Sequence, residues 1–151
     1  MEIMTKAYGA VEIDEKQVIH FPSGLLGFET LREFALLDAE QKPFFWLQSL
    51  EVEQIAFVLI NPLIFKPDYK PLVIEDELQD LGLENEEDEK ILLFSIVTIP
   101  ADQKLMTANL QGPVIINKDI RWGRQFISTS PEWKVRHNIM EELAAQRNNS
   151  C

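Results

Sequence analysis

Short β-branched and period-two runs, several of them closed by glycine, proline or asparagine, dominate the first two thirds of this chain and leave no room for long helices. Side chains along a strand alternate between faces, so alternating apolar residues specify one buried face and unbroken apolar runs specify two. Residues 2–8 form a first candidate strand, ended by Gly9. Residues 11–13 and 18–21 flank the polar tip Asp14-Glu15-Lys16, a pattern that predicts a hairpin. Strands are expected at 34–38 and at 44–49, the latter entered from Pro43. The run Ile55-Ala-Phe-Val-Leu-Ile60 is continuous and bulky, which predicts a strand buried on both faces, stopped by Asn61-Pro62. Between 22 and 28, two leucines and a phenylalanine among glycines predict a loop pinned onto the core.

The pattern changes after the proline-studded stretch 62–71, which must be extended or looped. Ile74, Leu78 and Leu81 fall at helical spacing with Gly82 as a stop, and a solvated acidic connection follows over 84–89. Strands resume at 91–99, 106–111, 114–117 and 125–128, with Gly123 expected to turn the chain before the last. Residues 139–145 have high helix propensity, and 147–151 are expected to fray. About nine short strands with two or three short helices predict a mainly β, barrel-like unit over 1–146, or two packed sheets. Periodicity does not decide whether the sheet closes.

Charge narrows the function. The chain carries 25 acidic against 14 basic residues, net −11. Nucleic-acid binding is mostly cation against phosphate, so direct contact with RNA or DNA is not expected. A basic protein would be attracted, although taken alone the charge is better read as keeping a small protein in solution. No apolar run approaches the ~20 residues of a membrane span, and Met1-Glu-Ile-Met-Thr-Lys6 shows no signal-peptide pattern. The one cysteine, Cys151, excludes an internal disulfide, and a reducing cytoplasm is the expected compartment.

A search for chemistry returns little. His20 and His137 are the only histidines, and no His/Cys/carboxylate group shows metal-ligand spacing, so no metal or cofactor is expected. Ser23 lacks a nucleophile-elbow pattern, no phosphate loop follows Gly24 and Gly27, and Cys151 has no neighbour to activate it. The acidic stretch lacks the apolar cover that would raise one carboxyl for acid catalysis. Phe44, Phe45 and Trp46 could stack bases, but only Lys42 is near, which favours core packing. Trp122 and Trp133 lie among basic residues, the one place where an anionic surface could be met, and a solvated edge strand studded with charges accounts for them equally well. The expected class is therefore a binding protein and not an enzyme. A small hydrolase built around His20, Asp14 and Glu12 is one alternative, and a nucleic-acid-binding barrel is another.

Several motifs in fixed order carry a family resemblance. They are Thr5-Lys6 with Gly9, Phe21-Pro22 with Gly24-Leu-Leu-Gly-Phe-Glu29, and Phe44-x-Trp-Leu-Gln-Ser49. Phe57 with Asn61-Pro62, Asp68-Tyr69, and Thr107-Ala-Asn-Leu-Gln-Gly-Pro-Val-Ile-Ile-Asn117 complete the set. In this order the chain resembles the FliW family of bacterial flagellar assembly factors across nearly its whole length. Gly112 stands where that pattern has a small residue such as alanine.

The resemblance implies a cytoplasmic regulator with a small β-barrel-like fold. Such proteins bind CsrA, a basic RNA-binding dimer that represses flagellin translation, and they also bind flagellin. Flagellin would occupy the regulator until export frees it to capture CsrA. On that footing Glu75, Asp76 and Glu77 are expected to face CsrA, because acids are dense there beside an ordered helix. Phe65, Asp68 and Tyr69 are candidate contacts on a proline-stiffened loop, with a loop capping one barrel end as the competing account. Asn109 is a further candidate within its motif.

Overall fold

The computed structural model describes residues 1–149; Ser150 and Cys151, the latter the lone thiol considered above, lie outside the described residues. Eleven strands form in chain order, with two α-helices. They are β1 (Glu2–Thr5), β2 (Gly9–Glu12), β3 (Val18–His20), β4 (Glu33–Asp38), β5 (Phe45–Ser49), β6 (Ala56–Ile60), β7 (Ile91–Thr98), β8 (Thr107–Ala108), β9 (Val114–Asn117), β10 (Trp122–Gln125) and β11 (His137–Asn138). Helix α1 (Glu75–Asp80) precedes β7, and α2 (Ile139–Asn149) follows β11.

The ring runs β7-β6-β5-β4-β3-β10-β9 and returns to β7, so the sheet closes as a seven-stranded barrel. Every pairing is antiparallel except β3 with β10, which meet in parallel through the single pair His20 and Trp122. Strand alternation explains why both faces are apolar. Phe34, Leu47, Leu59, Phe94, Val114 and Ile116 point inward and form one core with Phe21 and Leu25. Their neighbours point outward and are covered three times over. The β1–β2 hairpin covers Ala35 and Leu37 through Ile3 and Ile13. The α1 segment covers Ile115 and Phe126 through Leu78, Leu81 and Leu83. Phe65, Tyr69, Trp133 and Ile139 cover Ile60 and Val97. At roughly 1.5–3 kcal/mol for each large side chain buried, these plates are as much a part of stability as the interior.

Several local expectations are corrected. Residues 11–13 do not pair with 18–21: Val11 pairs back to Ile3 and Val18 pairs with Ala35. Gly9, at φ +69°, makes the turn that returns β2 onto β1. The supposed tip is a capped 3-10 turn, in which Lys16 N–H donates to Asp14 Oδ1 and Asp14 N–H to Gln17 Oε1. Gly123 is no turn but part of the barrel wall. A Cβ there would lie 2.7 Å from the Phe21 ring, so the residue lets that ring pack against the backbone. The turn comes earlier, where Asn117 Oδ1 accepts from Asp119 N–H at 3.0 Å and Arg121 sits at φ 60°. The expected strand over 106–111 is cut to two residues because Leu110 and Gln111 leave the sheet to donate to Lys134 C=O. Helix α2 runs on to Asn149, across residues expected to fray.

Candidate protein-binding face

The proline-rich loop and the acidic segment meet on the outside of β7 and β9, and Tyr69 joins the loop to the Asn109–Gly112 turn. Asn61 starts the loop by capping: its Oδ1 accepts from Leu63 N–H at 3.0 Å, and Pro62 occupies the first position of the 3-10 turn 62–64. Phe65 is then fully buried and Tyr69 is 5% exposed. Tyr69 stacks edge-on against Trp133 with centroids 4.8 Å apart, and its hydroxyl donates to Leu110 C=O at 2.6 Å. Burial, with the Glu86 carboxylate adding, holds that phenol well above its usual range, so it stays a donor. Trp133 Nε1–H donates to Lys70 C=O at 2.9 Å, fixing the loop from its other end. Phe65 and Tyr69 thus pack the loop onto the barrel with little exposed surface, whereas Asp68 is exposed.

The acidic segment is more ordered than a solvated connection. Asp88 accepts backbone N–H groups from Glu84 and Lys90 at 3.0 and 2.9 Å, and these bonds lower its pKa. Leu83 is buried, and Glu86 accepts from Val73 N–H at 3.2 Å. Between this segment and the loop lies a cleft of about 350 Å³. Ile91, Leu93 and Ile115 line it with Leu63, Pro67 and Tyr69, while Asp68, Glu86, Glu87 and Lys70 stand at its rim. The structure therefore brings Asp68 and Tyr69 together with Glu86 and Glu87. Those two acids, with Ile91, Leu93 and Ile115, went unremarked as site residues; the acidic run directly preceding an apolar strand was the available signal.

Glu75, Asp76 and Glu77 occupy the first turn of α1 and do not line the cleft. Carboxylates there favour the helix dipole, which is reason enough for their position in a short helix. Glu75 and Asp76 are exposed, while Glu77 pairs with Arg124 at 3.4 Å. Asn109 shapes the turn: its Oδ1 accepts from Gly112 N–H at 2.8 Å. Gln125 joins that turn to the 24–28 loop, donating to Gly112 C=O and accepting from Leu26 N–H, both at 3.0 Å. A Cβ on Gly112 would stand 2.8 Å from Gln125 Nε2, so this chain packs tighter there than an alanine would allow. In the 24–28 loop Leu25 is buried as expected, but Leu26 is 51% exposed.

The residues of the hydrolase alternative are each engaged elsewhere. His20 Nδ1 pairs with the Glu33 carboxylate, Asp14 caps its turn and Glu12 meets the N-terminal ammonium at 3.0 Å. His137 Nε2 accepts from Lys134 N–H at 2.8 Å, and burial lowers its pKa. Among the described residues, no group of three or more His, Cys, Asp or Glu side chains could hold a metal ion, and no helix is long and apolar enough to cross a membrane.

Comparison with known proteins matches the architecture. A flagellar assembly factor FliW of Leptospira interrogans is 47% identical over 148 residues, 97% of each chain. One of Treponema denticola is 46% identical over 149 residues, covering 98% of this chain and all of its own. A crystal structure of the flagellar assembly factor FliW superposes with a TM-score of 0.84 at 34% identity, over 92% of this chain and 96% of that one. The model of the family described as FliW protein matches residues 2–139, and with these relatives the chain belongs to the FliW family.

Proposed function

We propose that this protein is a cytoplasmic flagellar assembly factor that acts by binding other proteins: it captures CsrA, relieving repression of flagellin translation, and it captures flagellin, which withholds it from CsrA. The full-length similarity to proteins named flagellar assembly factors carries this reading. The acid-rimmed cleft and the exposed carboxylates of α1 support it, since a basic partner is steered toward such a face and its association slows with salt. Docked beside an RNA-binding surface, the same charge would repel phosphates.

The test is direct binding of the purified chain to purified CsrA and flagellin. Micromolar or tighter binding to each, with each partner displacing the other, is the expected result. Failure to retain either protein at low salt removes the proposal. Within it, Lys at Glu75, Asp76 and Glu77 together should slow CsrA association at least tenfold at low salt. Unchanged rates at low and high salt would move the contact off α1.

A further inference from the structure

β7 meets different neighbours along its length. Ile91 to Phe94 pair with β9, while Ser95 to Val97 pair with β6, whose last residue Ile60 lies opposite Ser95. After Ile60 the chain turns into the 3-10 segment at Pro62, so along 91–94 no described strand occupies the side that β6 has left. Antiparallel pairing turns the backbone groups of successive residues to opposite edges. Lys118 N–H donates to Lys90 C=O at 2.9 Å. Continued along the ladder, that alternation gives Leu92 and Phe94 to β9 and turns the N–H and C=O of Leu93 toward the vacated edge. Among the described residues, neither group of Leu93 meets a protein partner on that edge. Leu93 also lines the acid-rimmed cleft.

We propose that this cleft receives a short extended segment of a protein partner, its backbone bonded to Leu93, an apolar side chain against Ile91 and Leu93, and a lysine or arginine two residues along, on the same face, against Asp68, Glu86 and Glu87. The inference rests on the protein-binding reading above and adds the mode of contact. An open strand edge offers donors and acceptors that an extended peptide satisfies, and alternate side chains then find pockets. A residue exchanging both bonds with Leu93 has its side chain on the same face as Leu93, which is the cleft floor. The volume sits at the lower end of the ~300–1,000 Å³ of ligand pockets, and an α-helix ~10–12 Å across would not enter it. Three rim carboxylates against Lys70 favour a cation.

The probe is acetyl-Lys-Ser-Val-Ser-Val-Ser-Lys-amide, whose valines and lysines share one face when extended, titrated into the ¹⁵N-labelled full chain. Two controls accompany it: acetyl-pentalysine-amide and the same probe N-methylated at both valines. The Leu93 amide resonance should move and saturate. The N-methylated peptide and pentalysine should each bind at least tenfold more weakly. Asp68→Lys combined with Glu87→Lys should weaken the probe tenfold with the melting temperature kept. Equal binding of either control, or shifts centred away from Leu93, overturns the inference. CsrA and flagellin are measured on the same sample. A chain that binds both proteins while the probe leaves Leu93 unmoved loses only the cleft assignment. One that binds the probe but neither protein loses only the partner assignment.

Discussion

The two halves of β7, Ile91-Leu-Leu-Phe94 and Ser95-Ile-Val-Thr98, belong to one strand and have opposite surroundings. Its second half is paired on both sides, to β6 and β8, and lies under Phe65, Tyr69 and Trp133. Its first half is paired on one side only, and carboxylates stand over it. One strand thus serves as core at one end and as candidate docking edge at the other. The lesson is that neighbours assign the roles: an apolar strand residue becomes structure or surface according to what the rest of the chain lays across it.

Removing the cover from the second half tests the contrast most severely. Trp133→Ala should cost about 3–5 kcal/mol, as large-to-small core changes do, lowering the thermal midpoint by roughly 2–4 °C per kcal/mol in a chain of this size. A loss below about 1 kcal/mol in urea unfolding would show that the cap is not structural. Gly123→Ala, in the opposite wall, should destabilise by about 1–3 kcal/mol because the methyl meets the Phe21 ring; a neutral result would mean that the ring moves freely. Tyr69→Phe removes only the bond to Leu110 and should cost about 1–3 kcal/mol, the range for leaving a buried acceptor unpaired.

Acidity should distinguish the halves further. His137 must be neutral at Nε2 to accept from Lys134 N–H, and Lys134 C=O in turn holds Leu110 and Gln111. Its folded pKa lies below the ordinary 6.5. Its contribution is therefore present above pH 6.5 and is lost as pH falls through the folded value. His137→Gln should flatten that part of the stability profile, measured by thermal melts between pH 7.5 and 5. The smallest effect belongs to the first half: Glu87→Lys should change stability by less than about 0.5 kcal/mol while slowing association with a basic partner. A large fall in melting temperature would make Glu87 structural.

Most strands were legible because short β-branched or alternating runs mark them, and the β-branched run 114–117 coincides with β9. Pairing was less legible. The hairpin predicted between 11–13 and 18–21 failed because a polar tip also describes a capped 3-10 turn, and only the partner strands distinguish the two. Gly123 looked like a turn because its reason for being glycine is the Phe21 ring, a hundred residues away in sequence. At the candidate face, loop and acids were both legible, but their meeting over Ile91 and Leu93 was not. Phe65 and Tyr69 are apolar residues on a loop that prolines extend, a signal that suits an interface and a buried cap equally well.

Closure through one parallel pair carries a consequence for how the molecule is made. His20 reaches its partner Trp122 only after every strand from β4 to β9 has left the ribosome, so the ring cannot be completed before then. Nascent β3 to β6 can form an antiparallel meander, but its apolar inner face must wait for β7, β9 and β10. Such distant contacts slow folding and lengthen the time that sticky surface is open to other chains. For this protein, the interval before β10 emerges is the one in which aggregation competes with barrel completion.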